Sequence, residues 1–249
     1  MKAIYYGDTN VGYIRPTNED AFILKEVWGG SYLLAVVIDG VGGNGVGDVA
    51  SSLAAKCISE HFRECIHSAN SMDILQSAVI FANNSIYAQH FSPWLSQMSC
   101  VLTAVVINLE TGQMDVCHVG DTRLYTLKKN IFTKVTHDQS LIGPLEELGQ
   151  MSEEVAMSHP QRNIITRSVG NGILQWGTEY IQTHTVKLKP NTTLLLCSDG
   201  LYDMIHSSLT VKILSEPISV DKRVEKLIDA VLEAGGKDNV TVIIIDLMK

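Results

Sequence analysis

Residues 32–48, YLLAVVIDGVGGNGVGD, carry the strongest signal in the chain. An apolar run from Leu33 to Ile38 stops abruptly at Asp39-Gly40, a glycine-rich turn follows, and a helix-patterned segment begins. Val36, Val37 and Ile38 are β-branched, so the run predicts a buried strand. A carboxylate placed where such a strand leaves the sheet is held rigidly yet reaches solvent, which is the setting a metal ligand or a catalytic acid needs. Asp-Gly is also ordinary turn chemistry. Residues 40–45 fit GxGxxG as well, the loop that cradles a dinucleotide. Taken alone, the stretch leaves turn, nucleotide loop and metal site open.

Working outward, residues 21–24 pair naturally with this strand across Gly29-Gly30. From Gly45 to about Ile66, Val46, Val49, Leu53, Cys57 and Ile58 recur at helical spacing. A second helix is expected from Ser71, a good N-cap, with Leu75, Ala78, Val79, Ala82 and Ile86 on one face. Strands follow at 101–108 and 114–119 around Glu110-Thr111-Gly112, and at 123–127 and 132–135 around residues 128–130. Residues 136–170 are polar and irregular, with short helical patches, and are long for a connection in a compact domain. Strands at 183–188 and 193–197, helices at 209–214 and 220–234 ended by Gly235-Gly236, and a last strand at 240–246 complete the chain. At the other end, residues 3–6 form a short opening strand before a polar, turn-rich segment at 8–20. Antiparallel hairpins with segregated helices define an α+β protein.

Bulk properties narrow the field. The chain of 249 residues is 45% hydrophobic and 18% charged, with no low-complexity linker, so a single domain over 1–249 is expected. Its net charge of −8 argues against nucleic acid or an anionic membrane as the main partner. No stretch approaches the ~18 uninterrupted apolar residues of a membrane span, and the N-terminal residues lack a signal-peptide core. The five cysteines form no CxxC pair and sit mostly in apolar runs. A cytoplasmic monomer is expected.

Four acidic residues share a position in this pattern. Asp39 and Asp199 follow buried strands, Asp238 precedes one, and Asp121 lies in a turn between two. Gathered at one sheet edge they would repel and raise one another's pKa, and divalent cations would remove that repulsion. An all-oxygen donor set selects hard ions, Mg²⁺ or Mn²⁺. Two such ions ~4 Å apart can clamp a phosphoryl group for in-line attack. Arg15 is the candidate phosphate binder, because its planar fork matches phosphate oxygens.

The ordered motifs resemble the metal-dependent type 2C Ser/Thr protein phosphatases in their compact bacterial form, from about Asp8 to Ile245. They are Gly12…Arg15…Asn18-Glu19-Asp20; Asp39-Gly40-Val41-Gly42-Gly43; His118-Val119-Gly120-Asp121-Thr122-Arg123; Thr136-His137-Asp138-Gln139-Ser140; His159-Pro160-Gln161-Arg162-Asn163 with Ile164-Ile165-Thr166-Arg167; Ser198-Asp199-Gly200-Leu201-Tyr202-Asp203; and Lys237-Asp238-Asn239-Val240-Thr241. The resemblance implies a four-layer α-β-β-α sandwich of two antiparallel sheets, with residues 136–170 as a flap beside the active site. It implies two catalytic Mn²⁺ or Mg²⁺ ions and a more labile third. Asp39 would bridge the catalytic pair. Asp199 and Asp238 would complete one ion's shell, and the Gly40 carbonyl the other's, with Glu19 and Asp20 reaching it through waters. Asp121 with Asp199 would hold the third ion, and Arg15 would position the phosphate. The implied reaction is hydrolysis of phosphoserine and phosphothreonine by a hydroxide bridging the metals, opposing a bacterial Ser/Thr kinase.

The chain also departs from the family. Val41 stands where many relatives have a His proposed as general acid, so the proton donor is unassigned, with a metal-bound water as the default. Asn44 replaces a His common in bacterial members, and Met98-Ser99-Cys100-Val101 replaces Met-Gly-Thr-Thr. His118 reads as a structural strand residue, and His137 and His159 as hydrogen-bonding residues. The dinucleotide reading fails because Asp39 would oppose the pyrophosphate and because no parallel strand closes a βαβ unit. No GK[ST] follows the glycines, which removes a P-loop. A phosphopeptide-binding regulatory module on the same fold is the non-enzymatic alternative.

Overall fold

The computed structural model describes residues 1–42, 45–65 and 70–249. Its organising strand is β3 (Tyr32–Val41), which is covered on both faces. Leu34, Val36 and Ile38 point into one apolar cluster, Leu33, Ala35 and Val37 into another, and all six have no solvent exposure. A strand buried on both sides loses the period-two alternation, which is why the sequence shows an unbroken apolar run.

Two five-stranded antiparallel sheets stack on each other. One has the order β2 (Asp20–Val27), β3, β4 (Ser99–Asn108), β5 (Gln113–Val119), β8 (Gln182–Lys187). The other has the order β1 (Lys2–Asn10), β10 (Val240–Met248), β9 (Thr192–Cys197), β6 (Arg123–Lys128), β7 (Ile131–Lys134). Helices α1 (Gly47–Glu64) and α2 (Ser71–Tyr87) cover the first sheet, with Ala54, Ile58, Leu75 and Val79 in the interface. The short helices α3 (Gly143–Glu147), α4 (Glu153–Ser158) and α5 (Asp199–Tyr202) lie in connections, and helices α6 (Ser207–Leu214) and α7 (Val220–Glu233) cover the second sheet, through Val224, Leu227 and Val231. Between the sheets lies a third cluster built on Val105, Met114, Leu194, Leu196, Ile243 and Ile245. The architecture is the expected α-β-β-α sandwich, and no helix among the described residues is long and apolar enough to cross a membrane.

Local chemistry accounts for most boundaries. The β6–β7 hairpin turns on Lys129 and Asn130, both at positive φ, as a two-residue turn of the hand that matches strand twist requires. After α7, Gly235 and Gly236 both have positive φ, and their N–H groups close on Leu232 and Val231 carbonyls, ending the helix as expected. Other boundaries differ from the expectations. The N-cap of α2 is Asn70, which accepts from the Met72 N–H at 3.2 Å, while Ser71 instead donates to Asp115 at 2.5 Å. Val49 lies on the solvent face of α1. The opening strand runs to Asn10 because β10 pairs with it along its whole length, Asn10 against Val240. The strand expected to end at Ile38 continues to Val41, with Asp39 paired to both Asp20 and Val101. Gly43, Asn44 and Ile66 lie outside the described residues, and with them part of the GxGxxG stretch and the expected end of α1.

The ladders bring the predicted carboxylates to one end of both sheets. Asp39 is near the end of β3. Asp199 stands two residues beyond β9, while Asp238 and Asp121 stand two residues before β10 and β6. Cys197 pairs with both Val242 and Arg123, so the last three leave neighbouring strands at the same level.

Candidate active site

At that end opens a cleft of ≈ 270 Å³ whose lining includes Arg15, Glu19, Asp39, Gly40, Asp121, Asp199 and Asp238. Seven of the eight site residues expected from the sequence therefore face one space. The eighth, Asp20, lies beneath the floor. It is the ladder partner of Asp39, is buried, and accepts from the Ser198 and Thr241 hydroxyls at 2.7 Å each.

The electrostatics are those of confined like charges. Burial, then Asp20, Asp199, Asp121 and Asp238, hold the Asp39 carboxyl well above the usual carboxylate range. Burial, then Asp121, Asp203, Asp238 and Asp20, do the same to Asp199. Asp121 is pushed up to about 7, by burial and by Asp138, against the pull of Arg123. Asp20 is raised to about 6 by burial, its two hydroxyl partners notwithstanding. Such a set is at ease only when protonated or when sharing cations.

The donors fit a hard divalent ion. They are carboxylates and a carbonyl, with no imidazole or thiolate among the described lining residues. Among the described residues no group of three His, Cys, Asp or Glu side chains forms a ready metal cage. The set is open, and Asp238 is turned toward Arg15, whose Nη2 donates to it at 2.7 Å. Mg²⁺ and Mn²⁺ suit such sites because they keep several waters and take only a few protein oxygens.

Close packing explains the glycine after Asp39 better than turn geometry does. Gly40 sits in the strand, and a Cβ there would lie 2.2 Å from the Gly47 carbonyl oxygen and 2.5 Å from that of Glu19. The Gly40 N–H donates to the Glu19 carbonyl at 3.0 Å. Burial raises the Glu19 carboxyl, which lies against the backbone of Gly47 at the start of α1. Glu19 thus stands beside the first residue of a helix as well as lining the cleft.

The loop that carries Arg15 is fixed by Asn239. Its amide donates to the Val11 and Thr17 carbonyls at 2.9 and 3.0 Å and accepts from the Glu19 N–H at 2.8 Å. Gly12 has φ +76°, and a Cβ there would come within 2.4 Å of the Asp238 carbonyl oxygen. Arg15 is thus placed by a clamp 220 or more residues away in sequence, a role that the sequence motif around Asp238 does not reveal.

The flap holds two short helices, α3 (Gly143–Glu147) and α4 (Glu153–Ser158). Arg123 secures its base, bonding Asp138 at 2.6 and 2.9 Å and Glu146 at 2.7 Å, with its guanidinium 3.6 Å above the Tyr202 ring. Gln139 exchanges bonds with the Gly120 N–H and carbonyl at 2.9 and 2.7 Å. Farther out, Arg162 bonds Asp203 at 2.5 Å, and Glu153 accepts from the Ser207 N–H and hydroxyl at 2.7 and 2.8 Å. Asn163 and Ile165 of the same segment line the cleft. Asp203, Asn163 and Ile165 were legible only as members of motifs, without a role.

The histidines behave structurally. His118 is buried and bonded to Thr103 at 2.9 Å, and burial lowers its pKa to about 4. His137 pairs with Glu147 at 2.8 Å, and His159 accepts the Gln161 N–H at 3.1 Å. Val41 lines the cleft and offers no proton.

A sandwich with clustered carboxylates and a lone arginine among the described lining residues at its sheet ends defines a site fitted to hard divalent cations and a phosphate group. Comparison with known proteins narrows the class. Residues 16–239 match the protein phosphatase 2C family profile. The chain is 31% identical over 245 residues to the serine/threonine phosphatase stp of Listeria monocytogenes, covering 96% of this chain and 93% of that protein. Its fold is similar to Stp1 of Staphylococcus aureus, with a TM-score of 0.89 at 25% identity over 100% of this chain and 96% of that one. It is also similar to the PstP catalytic domain in complex with two manganese ions, with a TM-score of 0.84 at 26% identity over 99% of each chain. The chain belongs to the protein phosphatase 2C family and is a metal-dependent protein phosphatase.

Proposed function

We propose that this chain hydrolyses phosphoserine and phosphothreonine monoesters on proteins, using two Mn²⁺ or Mg²⁺ ions, and that it opposes a Ser/Thr kinase by acting on that kinase and its substrates. The observation that carries the reading is the meeting of Asp39, Asp121, Asp199 and Asp238 with Arg15 in one cleft. Asp39 is the residue to share both ions. Asp199 and Asp238 would hold one, the Gly40 carbonyl with Glu19 would serve the other, and Asp121 with Asp199 would hold a third. Asp20, beneath the floor, acts on that position mainly through its charge on Asp39. When bound, the ions neutralise the phosphoryl oxygens and make water a competent nucleophile near neutral pH.

The chain's own groups do the rest. The Arg15 guanidinium leaves Asp238 to the cation and offers two parallel N–H donors to the phosphate. Val41 supplies no proton to the departing alcohol oxygen, and water is the donor that this reading assigns. The pinned flap keeps Asn163 and Ile165 over the cleft. The reading takes residues 1–249 as a single catalytic domain, supported by the core that joins the two sheets, acting as a cytoplasmic monomer, and the net charge of −8 disfavours nucleic acid and anionic membranes as partners.

The decisive assay compares p-nitrophenyl phosphate, phosphothreonine peptides and phosphotyrosine peptides with Mn²⁺ and with EDTA. Hydrolysis of the first two, abolished by EDTA, is expected. Turnover confined to phosphotyrosine, or indifferent to EDTA, contradicts the reading. Phosphopeptide binding with no turnover in Mn²⁺ would instead make the chain a regulatory module.

A further inference from the structure

Two histidines meet across the edges of the two sheets. His184 stands in β8, the last strand of one sheet, and His137 three residues after β7, the last strand of the other. Their ring centroids are 6.0 Å apart, with the ring planes at 65°. Neither residue lines the catalytic cleft.

The chain holds this pair together on both sides. Gln182 and His184 are two residues apart on β8 and so share a face of the strand. Gln182 Oε1 accepts the His137 N–H at 3.0 Å, which ties the backbone of residue 137 to the strand that carries its ring partner. On the flap side, His137 Nδ1 lies 2.8 Å from Glu147 Oε2. Glu147 is itself fixed, by Lys134 Nζ at 2.7 Å and by the Asp138 N–H at 3.1 Å.

The Glu147 carboxylate sets the tautomer of the neutral His137 ring. Nδ1 donates its proton to the carboxylate, and Nε2 keeps its lone pair. A carboxylate behind one ring nitrogen is the usual support of a metal-bound imidazole, whose other nitrogen is the ligand. His184 offers the second nitrogen. Its Nε2 is buried and has no hydrogen-bond partner among the described residues, and an unpaired buried nitrogen calls for a partner. Burial, then His137, keep the His184 pKa below the ordinary histidine value, so this ring is neutral at pH 7. The separation fits as well. With metal–nitrogen bonds of about 2.0–2.1 Å and about 1.2 Å from nitrogen to ring centre, two imidazoles on one ion have centres roughly 5–6.5 Å apart. Lys134 and Arg123 stand against Asp138, Glu146 and Glu147, which leaves one net negative charge and no repulsion of a cation. The His137 side chain is 61% exposed and gives an ion a path from solvent.

We propose that His137 and His184 bind a Zn²⁺ ion at the edge of the sandwich, apart from the catalytic ions, with Glu147 as the carboxylate that orients His137. Imidazole nitrogens favour Zn²⁺ over the hard ions that the cleft selects. Among the described residues no third His, Cys, Asp or Glu completes the set, so water fills the remaining positions of the tetrahedron. The ion ties β8 of the first sheet to the chain that enters the flap.

The test titrates the full chain with Zn²⁺ by calorimetry in excess Mg²⁺, which occupies the catalytic cleft. Co²⁺ serves as the spectroscopic probe, because a tetrahedral ion bound by nitrogen absorbs visible light far more strongly than an octahedral ion bound by oxygen. Wild type should take up a Zn²⁺ ion that Mg²⁺ does not displace, and should give the tetrahedral Co²⁺ band. His137→Gln and His184→Gln should each weaken this uptake at least about tenfold and lose the band. Glu147→Gln should weaken it about 10–100-fold, the usual worth of a group that supports a metal-bound histidine, and keep the band at saturating Co²⁺. Asp39→Asn, which weakens the cleft, and His159→Gln, remote in sequence from the pair, should take up the ion as wild type does. Melting curves without metal show that each variant folds, and exposed His137 decides the matter if His184→Gln does not fold. No uptake by wild type in excess Mg²⁺ would overturn the proposal, as would uptake that survives both histidine substitutions. Uptake lost in Asp39→Asn but kept in the histidine variants would overturn it in favour of Zn²⁺ in the cleft. Unchanged affinity in Glu147→Gln would overturn the orienting role of that carboxylate.

Discussion

Arg15 Nη2 lies 2.7 Å from Asp238 Oδ2, joining the candidate phosphate binder to a candidate metal ligand across 223 positions of sequence. The pair lines the cleft and is partly exposed, so the contact is weak enough to exchange. The Asp238 carboxylate can turn to a cation and the guanidinium to a phosphate without either being left unpaired.

This predicts a distinct kinetic pattern at Arg15. Arg15→Ala should lower kcat/KM for p-nitrophenyl phosphate by about 10–100-fold, the usual worth of a charged hydrogen bond, and weaken inhibition by inorganic phosphate in parallel. Arg15→Lys restores charge without the fork and should recover only part of this loss. Full activity in Arg15→Ala would remove the residue from phosphate binding.

Asp20 makes a different prediction, because its partners are hydroxyls inside the fold. Asp20→Ala leaves the Ser198 and Thr241 hydroxyls buried without their acceptor and should cost about 1–3 kcal/mol in urea unfolding. Asp20→Asn keeps an acceptor oxygen and should keep most of the stability. It should also weaken Mn²⁺ binding, since it removes a negative charge directly behind Asp39.

The base of the flap should titrate in acid. Burial alone would raise the Asp138 carboxyl, but Arg123 and Lys134 outweigh it and hold the group below the usual range; Glu147 is lowered likewise, by Lys134 and His137. A depressed folded pKa contributes stability that is complete above the unfolded value, ~4, and is lost as pH falls through the folded value. Wild type should therefore lose stability below pH ~4, and Asp138→Asn should show a shallower acid limb. In Asp138→Ala, Arg123 is left buried with half its partners, and a loss of about 3–5 kcal/mol at pH 7 is expected from urea titration. A variant as stable as wild type at pH 7 would mean that the ion pair does not secure the flap.

Gly40 is predicted to tolerate no side chain. Gly40→Ala places a methyl 2.2 Å from one backbone oxygen and 2.5 Å from another, neither of which can yield without moving α1 or the Glu19 loop. Loss of activity together with a lowered Tm is expected. A fully active and stable variant would show that the strand end is looser than described.

Much of this was readable in the chain. The two-sided burial of β3 is written in the run 33–38, and the Asp-Gly and Asp-Asn motifs at strand ends point to the acidic cluster. What was not readable depends on partners distant in sequence. Asp20 looks like a loop residue until the ladder places it opposite Asp39 and under Ser198 and Thr241. Asn239 gives no sign that it clamps residues 11–19. Ile38 reads as the end of the strand, because local propensity cannot register that β4 continues to pair with Asp39 and Gly40. Ser71 was displaced as N-cap by a neighbour equally fit for the role, once Asp115 claimed its hydroxyl.

The central claim is that Asp39 and its neighbouring carboxylates hold the catalytic ions. Calorimetric titration with Mn²⁺ of wild type and Asp39→Asn, joined to p-nitrophenyl phosphate turnover on the same samples, tests it most directly. Wild type should take up two ions, rise in Tm as each bound ion adds roughly 2.7 kcal/mol at a hundredfold excess over its Kd, and turn over substrate. Asp39→Asn should fold, bind Mn²⁺ at least about tenfold more weakly, and lose at least about a hundredfold in kcat, since several kcal/mol of charge stabilisation depend on the ions. Two-ion binding and turnover at wild-type levels in Asp39→Asn would contradict the account.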